Sequence, residues 1–321
     1  MKVGVFFVKK ISVLMSVYNE PNEWLEYSIT SILTQTYRNF EFIIVCDNPK
    51  NKLLVQFLQK KEQEDRRIKL IINDSNIGLA KSLNKAYEYS VGDYIARMDA
   101  DDIAYPNRFM QQITFMQENN NVDLLCGNVD IINEAGNIVK HSKNIEYTIE
   151  QLKKLLEVAN DLIHPTFFMT RKAFEIIGGY RLFPAAEDYD FILNGLSQGL
   201  NIYQFPETVL KYRIRENSMS YGNALVSQLS TTYIQKLYRE RKETGMDSFN
   251  FNEVQKIINV DSKEKEKYSN ILYNIRGKYN SNKIMKIFIS LKGLIISRYF
   301  RMYFFDLLNV SHTIKKYSRQ D

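Results

Sequence analysis

At 321 residues the chain can hold one large domain with an appendage, and 45% hydrophobic and 13% aromatic residues supply a core, which excludes a disordered chain. Cys46 and Cys126 sit in apolar runs without metal-ligand spacing, as buried free thiols of a reducing compartment would, and His141, His164 and His312 show no ligand spacing either. The net charge of +6 is unevenly spread, since residues 262 to 321 carry 13 Lys and Arg against 4 Asp and Glu, and no nucleic-acid partner is expected.

The run Val3 to Val8 is too short for the apolar core of a signal peptide, and no stretch approaches the ~20 apolar residues of a membrane span. Ile11 to Tyr18 is apolar and β-branched and breaks at Asn19-Glu20-Pro21, which predicts a first strand. Trp24 to Thr36 carries Leu25, Ile29, Ile32 and Leu33 at helical spacing. Phe40 to Cys46 is a second strand ending in Asp47-Asn48-Pro49, Leu53 to Glu64 a helix, and Ile68 to Ile72 a third strand. Leu79 to Ser90 is again helical, and Asp93 to Met98 the fourth strand. Strands alternating with helices predict an α/β, Rossmann-like fold whose mainly parallel sheet is flanked by helices. Ligands of such sheets sit beyond the carboxyl ends of the strands, where Tyr18 to Glu20, Asp47 and Asp99 to Asp102 all fall.

The fourth strand ends in Asp99-Ala100-Asp101-Asp102, and acidic side chains at a strand rim suit a hard divalent cation, which prefers oxygen ligands and shares its shell with substrate phosphates. The D-x-D spacing alone decides little, because Asp188-Tyr189-Asp190 repeats it. Ala185 to Phe191 opens a helix that runs to Gly199; acids in a first turn serve as caps and dipole partners, which accounts for one or two of the three there.

Ser16-Val17-Tyr18-Asn19-Glu20, Asp47-Asn48, Asn76-x-Gly78, Gly92-Asp93-Tyr94-Ile95 and Met98-Asp99-Ala100-Asp101-Asp102 together resemble the inverting, nucleotide-sugar-dependent glycosyltransferases of family 2, which have the GT-A fold. The likeness continues through His164-Pro165-Thr166, Gly178-Gly179-Tyr180 and Glu187-Asp188-Tyr189-Asp190, covering residues 10 to 220. It implies a UDP-sugar donor, Mn²⁺ or Mg²⁺ on the donor diphosphate, and a carboxylate base near the acceptor. Asp99 and Asp101 are the expected metal residues, Asp99 directly or through water or ribose. Val17, Tyr18, Asn19 and Glu20 would line the nucleoside pocket, with Tyr18 stacked on the base and Asp47 accepting from its ring N–H. Taken singly, Tyr18 reads better as a strand-end aromatic packed on the sheet, and only its place in this block favours the nucleotide role. Asp188 matches the general base and Glu187 an orienting neighbour, while Asp190 reads as structural.

Two departures stand out. Relatives often carry Arg just before the Asn of the glycine-led helix, where this chain has Leu83-Asn84; Lys81, one turn away, is the substitute for contact with the nucleotide. Many relatives have Tyr-Arg-x-His before a Ser, whereas this chain reads Tyr212-Arg213-Ile214-Arg215. Arg215 does not ligate a cation, so it either clamps the diphosphate or lies at the surface.

The domain expectation is a GT-A-like catalytic domain over 1–222 and a basic helical C-terminal region over 223–321. There Lys283, Lys286, Ser290, Gly293, Ser297 and Arg301 fall on one side of a helix and Ile284, Ile287, Phe288, Leu291, Leu294, Ile295, Tyr299 and Met302 on the other. Such a helix either lies on an anionic membrane surface or packs its apolar side on protein. The resemblance further implies a hexosyl- or N-acetylhexosaminyltransferase that extends a polyprenyl-linked glycan for a bacterial O-antigen or capsule. It would work in the cytoplasm, peripheral on the inner face of the cell membrane. A sugar-phosphate nucleotidyltransferase shares the architecture but needs a glycine-rich first turn, and Tyr18 to Pro21 has no glycine. A catalytically inactive glycan-binding relative is disfavoured by the intact acidic blocks.

Overall fold

The computed structural model describes residues 9–215, 224–276, 290–291, 293–305 and 308. Val3 to Val8, Lys283, Ile284, Lys286, Ile287, Phe288 and His312 of the sequence reading lie outside them. The chain forms two compact units. The first comprises the chain up to Leu152 together with Leu162–Leu182 and Gln198–Ile214; the second gathers Lys153–Asp161, Phe183–Ser197 and the chain from Arg215 onward.

The first unit is built on β1 (Ile11–Val17), α1 (Asn22–Leu33), β2 (Phe40–Cys46), α2 (Lys52–Glu64), β3 (Ile68–Ile72), α3 (Leu79–Glu88) and β4 (Tyr94–Arg97). Each strand lies within a residue or two of the apolar run that predicts it. β1 pairs in parallel with both β2 and β4, and β2 with β3, so Val17 stands beside Cys46 and Leu14 beside Arg97. All four strands therefore point their carboxyl ends at one edge. The side chains of β1, β2 and β4 are mostly buried on both faces, which is why these strands read as continuous hydrophobic runs, whereas the edge strand β3 is only partly covered. Helix α2 begins where the Asn51 side chain accepts from Leu54 N.

Beyond β4 the sheet becomes mixed. The chain continues through β5 (Ile103–Ala104), α4 (Arg108–Glu118), β6 (Leu124–Ile132), β7 (Ile138–Lys140), α5 (Ile149–Leu156), β8 (Phe168–Thr170), α6 (Arg171–Ile177), α7 (Glu187–Ser197) and β9 (Ile202–Arg213). The strand order is β3-β2-β1-β4-β8-β6-β9-β5, with β7 on β6. β8 runs antiparallel to β4 and β6, and β9 runs parallel to β6 and antiparallel to β5. Cys46 and Cys126 are buried free thiols, as expected.

The second unit holds α7 with α8 (Ala224–Thr244), α9 (Phe251–Ile258) and α10 (Ser262–Arg276). Leu225, Tyr268, Ile271, Leu272 and Phe300 form its C-terminal core, against which Leu294, Tyr303 and Phe304 pack. This corrects the expected faces of the last helix. Gly293 and Ser297, assigned to the polar side, are buried, whereas Leu291 and Ile295 are exposed. A Cβ on Gly293 would sit 2.7 Å from the Phe300 ring and 3.0 Å from Ile271, so the glycine serves close approach to the core. Among the described residues no helix is long and apolar enough to cross a membrane.

Candidate active site

The chain leaves β4 into Asp99, Asp101 and Asp102, whose carboxylates each offer an oxygen within 4.8 Å of the others. Asp99 ion-pairs with Arg97, and both Arg97 and Arg108 are buried behind the loop. Asp102 is fully buried: its Oδ1 accepts from Arg213 N at 2.8 Å, and its Oδ2 has no hydrogen-bond partner among the described residues. Burial, then the negative charges of Asp99 and Asp101, hold the Asp102 carboxyl well above the usual carboxylate range. An all-oxygen donor set with a buried, unpaired carboxylate oxygen fits a hard divalent cation. The structure thus brings Asp99 and Asp101 together and adds Asp102.

The loop is tied down from two sides. Ser28 and Ser31 on α1, with Gln35 just past its C-terminal end, form a buried polar stripe. Ser28 Oγ donates to Asp99 O at 2.8 Å, Ser31 Oγ accepts from Ala104 N at 2.9 Å, and Gln35 Nε2 donates to Tyr105 O at 2.7 Å. Arg213, at the end of β9, donates through Nε to Asp101 O (2.8 Å) and through Nη1 to Asn133 O (3.0 Å) and Glu134 O (2.8 Å). Its guanidinium also lies 4.9 Å from the centre of the Trp24 ring. Arg213→Ala should lower stability by about 3 kcal/mol in urea unfolding, because three part-buried carbonyls lose a charged donor and the Trp24 ring loses its cation. A loss below about 0.5 kcal/mol would show that the brace is dispensable.

At the ends of β1 to β3 lies the expected nucleoside side. Tyr18 is exposed, its N–H donates to Glu20 Oε2 at 2.8 Å, and Asn48 Nδ2 donates to Asn19 Oδ1 at 2.7 Å. Asp47 is buried and accepts from Asn73 Nδ2, Ile77 N and Gly78 N, each at 2.8 Å. Those donors take three of the about four lone-pair sites of a carboxylate. Gly78 has φ +85°, a turn conformation open to glycine, and presents its N–H to Asp47 before α3 begins. Lys85 Nζ reaches Asn73 Oδ1 at 2.8 Å, while Lys81 is exposed on α3 and Leu83 is buried in the core. Asn73 and Lys85 escaped the sequence reading; the polar end of β3 was the available signal.

Glu187 and Asp188 open α7 in the second unit. Asn160 Nδ2 donates to Asp188 Oδ2 at 3.0 Å, and Asp190 is buried. The preceding Ala186 has φ +61°, a left-handed conformation costing on the order of 1 kcal/mol for a residue with a Cβ. Arg215 is half-buried, two residues past the brace.

His164 is buried in the first unit, with Nε2 2.7 Å from the Tyr180 hydroxyl. Burial first, and Arg97 second, push its pKa well below the ordinary histidine value, so it is neutral in the fold. The unfolded chain takes up a proton below about pH 6.5 that the folded chain refuses. Stability should therefore fall with pH below that point, with a His164 share of up to about 1.4 kcal/mol per pH unit. Urea unfolding of wild type and His164→Gln at several pH values tests this; parallel slopes would exclude it.

The sequence profile of "Glycosyl transferase family 2" matches residues 12–178. The chain is 38% identical over 220 residues to an uncharacterized glycosyltransferase of Methanocaldococcus jannaschii, covering 68% of this chain and 76% of that one. It is 34% identical over 144 residues to the Escherichia coli UDP-Glc:alpha-D-GlcNAc-diphosphoundecaprenol beta-1,3-glucosyltransferase WfgD, covering 45% and 55%. The fold is similar to that of Staphylococcus aureus TarS 1-349 in complex with UDP-GlcNAc, with a TM-score of 0.60 at 16% identity over 97% of this chain and 92% of that one. With its profile matched across more than half its length, on a GT-A-like α/β scaffold, the chain belongs to glycosyltransferase family 2.

Proposed function

We propose that this glycosyltransferase is metal-dependent and inverting, and that it moves a hexose or N-acetylhexosamine from a UDP donor onto a polyprenyl-linked glycan. The observation that carries the reading is the carboxylate cluster, Asp99 and Asp101 with Asp102, at the edge where four parallel strands end. A Mn²⁺ or Mg²⁺ ion held there by Asp99 and Asp101 would supply Lewis-acid stabilisation of the departing diphosphate. Tyr18 offers an exposed ring for stacking on the base, with Val17, Asn19 and Glu20 around it. Asp47 has a lone pair left for the ring N–H. Lys81 and Arg215 add positive charge on the donor side, Arg215 by pairing with phosphate oxygens.

The acceptor hydroxyl needs a group to take its proton as the bond to the anomeric carbon forms. Asp188 is assigned that task and Glu187 the orientation of the acceptor; the strained Ala186 turn and the Asn160 hydrogen bond fix where α7 begins. Two of these similar proteins support the donor and acceptor classes: WfgD is a UDP-Glc:alpha-D-GlcNAc-diphosphoundecaprenol glucosyltransferase, and TarS is in complex with UDP-GlcNAc. A lipid-linked acceptor puts the enzyme at the inner face of the cell membrane as a peripheral protein, in O-antigen or capsule synthesis. We assign catalysis to residues 1–222 and a supporting role to 223–321.

A thermal-shift screen of UDP-sugars with and without Mn²⁺ tests the donor. A cognate donor at about 100 times its Kd should stabilise the protein by about 2.7 kcal/mol, and only with metal present. Stabilisation by no nucleotide sugar, or equally in EDTA, would overturn the assignment.

A further inference from the structure

The second unit carries a surface lined by none of the residues assigned to glycosyl transfer. Helices α8 and α9 wall an open pocket of about 450 Å³, which Val260 and Tyr299 also line. Its floor is apolar, with Leu229 and Ile257, and its rim is basic, with Lys236, Arg239 and Lys256. Among the described lining residues Glu253, 2.6 Å from Lys256, is the one acid, and Lys236 pairs with Glu240 at 3.4 Å. Tyr299 belongs also to the C-terminal helical segment, where the guanidinium of the exposed Arg298 lies 4.5 Å from its ring centre.

That segment is apolar on two sides. Leu294, Phe300 and Phe304 already face the core of the unit. On the outer side Ile295 is 79% exposed and Phe305 61%, with Leu291, Met302 and Leu308 exposed along the same segment. Folding has no use for this second strip, and a run of large apolar side chains held in water marks a contact surface. Arg298 and Arg301 are exposed beside it. The charges choose the partner. A second copy of the chain laid symmetrically on this face would set arginines and lysines against their own kind, whereas an anionic surface is complementary to them.

We propose that this face docks on an anionic phospholipid bilayer, the strip entering the acyl region and the basic pocket receiving a phosphate headgroup. Its purpose rests on the reading of a lipid-linked acceptor, but the binding needs no sugar and is measurable alone. It differs from the sequence expectation in its residues, because Gly293 and Ser297 face inward.

The test is co-sedimentation of the full chain with vesicles of phosphatidylcholine alone or mixed with phosphatidylglycerol, without donor. Wild type should bind the anionic vesicles and lose most of that binding at high salt. Ile295→Ser with Phe305→Ser, and separately Lys236→Gln with Arg239→Gln and Lys256→Gln, should each weaken it about tenfold or more. All these side chains lie at the surface, and a thermal unfolding midpoint like that of wild type, without ligand, shows that each variant is folded. Absent vesicle binding, equal binding to neutral vesicles, or variants that bind like wild type would overturn the proposal. So would an apolar variant that changes oligomeric state and leaves vesicle binding intact, since the face would then be a contact between copies. Should the donor reading be the one at fault, no UDP-sugar shift appears while anionic vesicle binding persists.

Discussion

Asp188→Asn should lower turnover by about 10² to 10⁴, the usual contribution of a positioned base. The substitution keeps the side chain's size and its capacity to accept from Asn160, so α7 should start as before. What disappears, on the proposed assignment, is the ability to take a proton from the acceptor hydroxyl. Steady-state kinetics should show the loss in kcat and in kcat/KM alike, with donor affinity within a few-fold of wild type, as for an interaction made only in the transition state. If the variant turned over normally at saturating donor but bound UDP-sugar far more weakly, Asp188 would belong to the donor side. Asp190→Asn is the control: that side chain is buried, and its replacement should change stability before it changes rate.

Asp101→Ala should be at least as damaging to activity, with a different signature. Asp101 is half-exposed at the end of β4, so the fold should survive its truncation. Without it the cluster loses one of three carboxylates, and a hard cation loses charge as well as a ligand. Turnover should fall below detection, and UDP-sugar binding, measured by calorimetry, should no longer depend on Mn²⁺. Wild type in EDTA should behave in the same way. A wild type fully active in EDTA, or a variant still tuned by Mn²⁺, would remove the metal from Asp101.

The first half of the fold is legible in the sequence because each parallel strand is an apolar run cut off by a polar turn, as at Val17-Tyr18-Asn19 and Cys46-Asp47-Asn48. The second half is less so. β5 and β8 span two and three residues, too few for a period to show, and their places depend on long-range pairing with β9 and β4. At the site, the acidic cluster shows in the sequence because its members are neighbours in the chain. The groups that hold it do not, since Ser28, Gln35 and Arg213 reach the loop from 70 or more residues away. Small residues misled the reading of the last helix: Gly293 and Ser297 count as polar by type, but here their size lets the helix approach the core.

The polar stripe of α1 has a consequence for how the donor edge moves. The amide of Ala104 donates to Ser31 Oγ and that of Phe109 to Gln35 Oε1, both buried. The acid-bearing loop is thereby part of the same cooperative folding unit as β1 and α1, and its amides should exchange with solvent about as slowly as those of the sheet. Opening it would mean unfolding α1 with it. Any motion that admits a nucleotide-sugar to the proposed donor site is then expected from other segments, with the acids staying fixed.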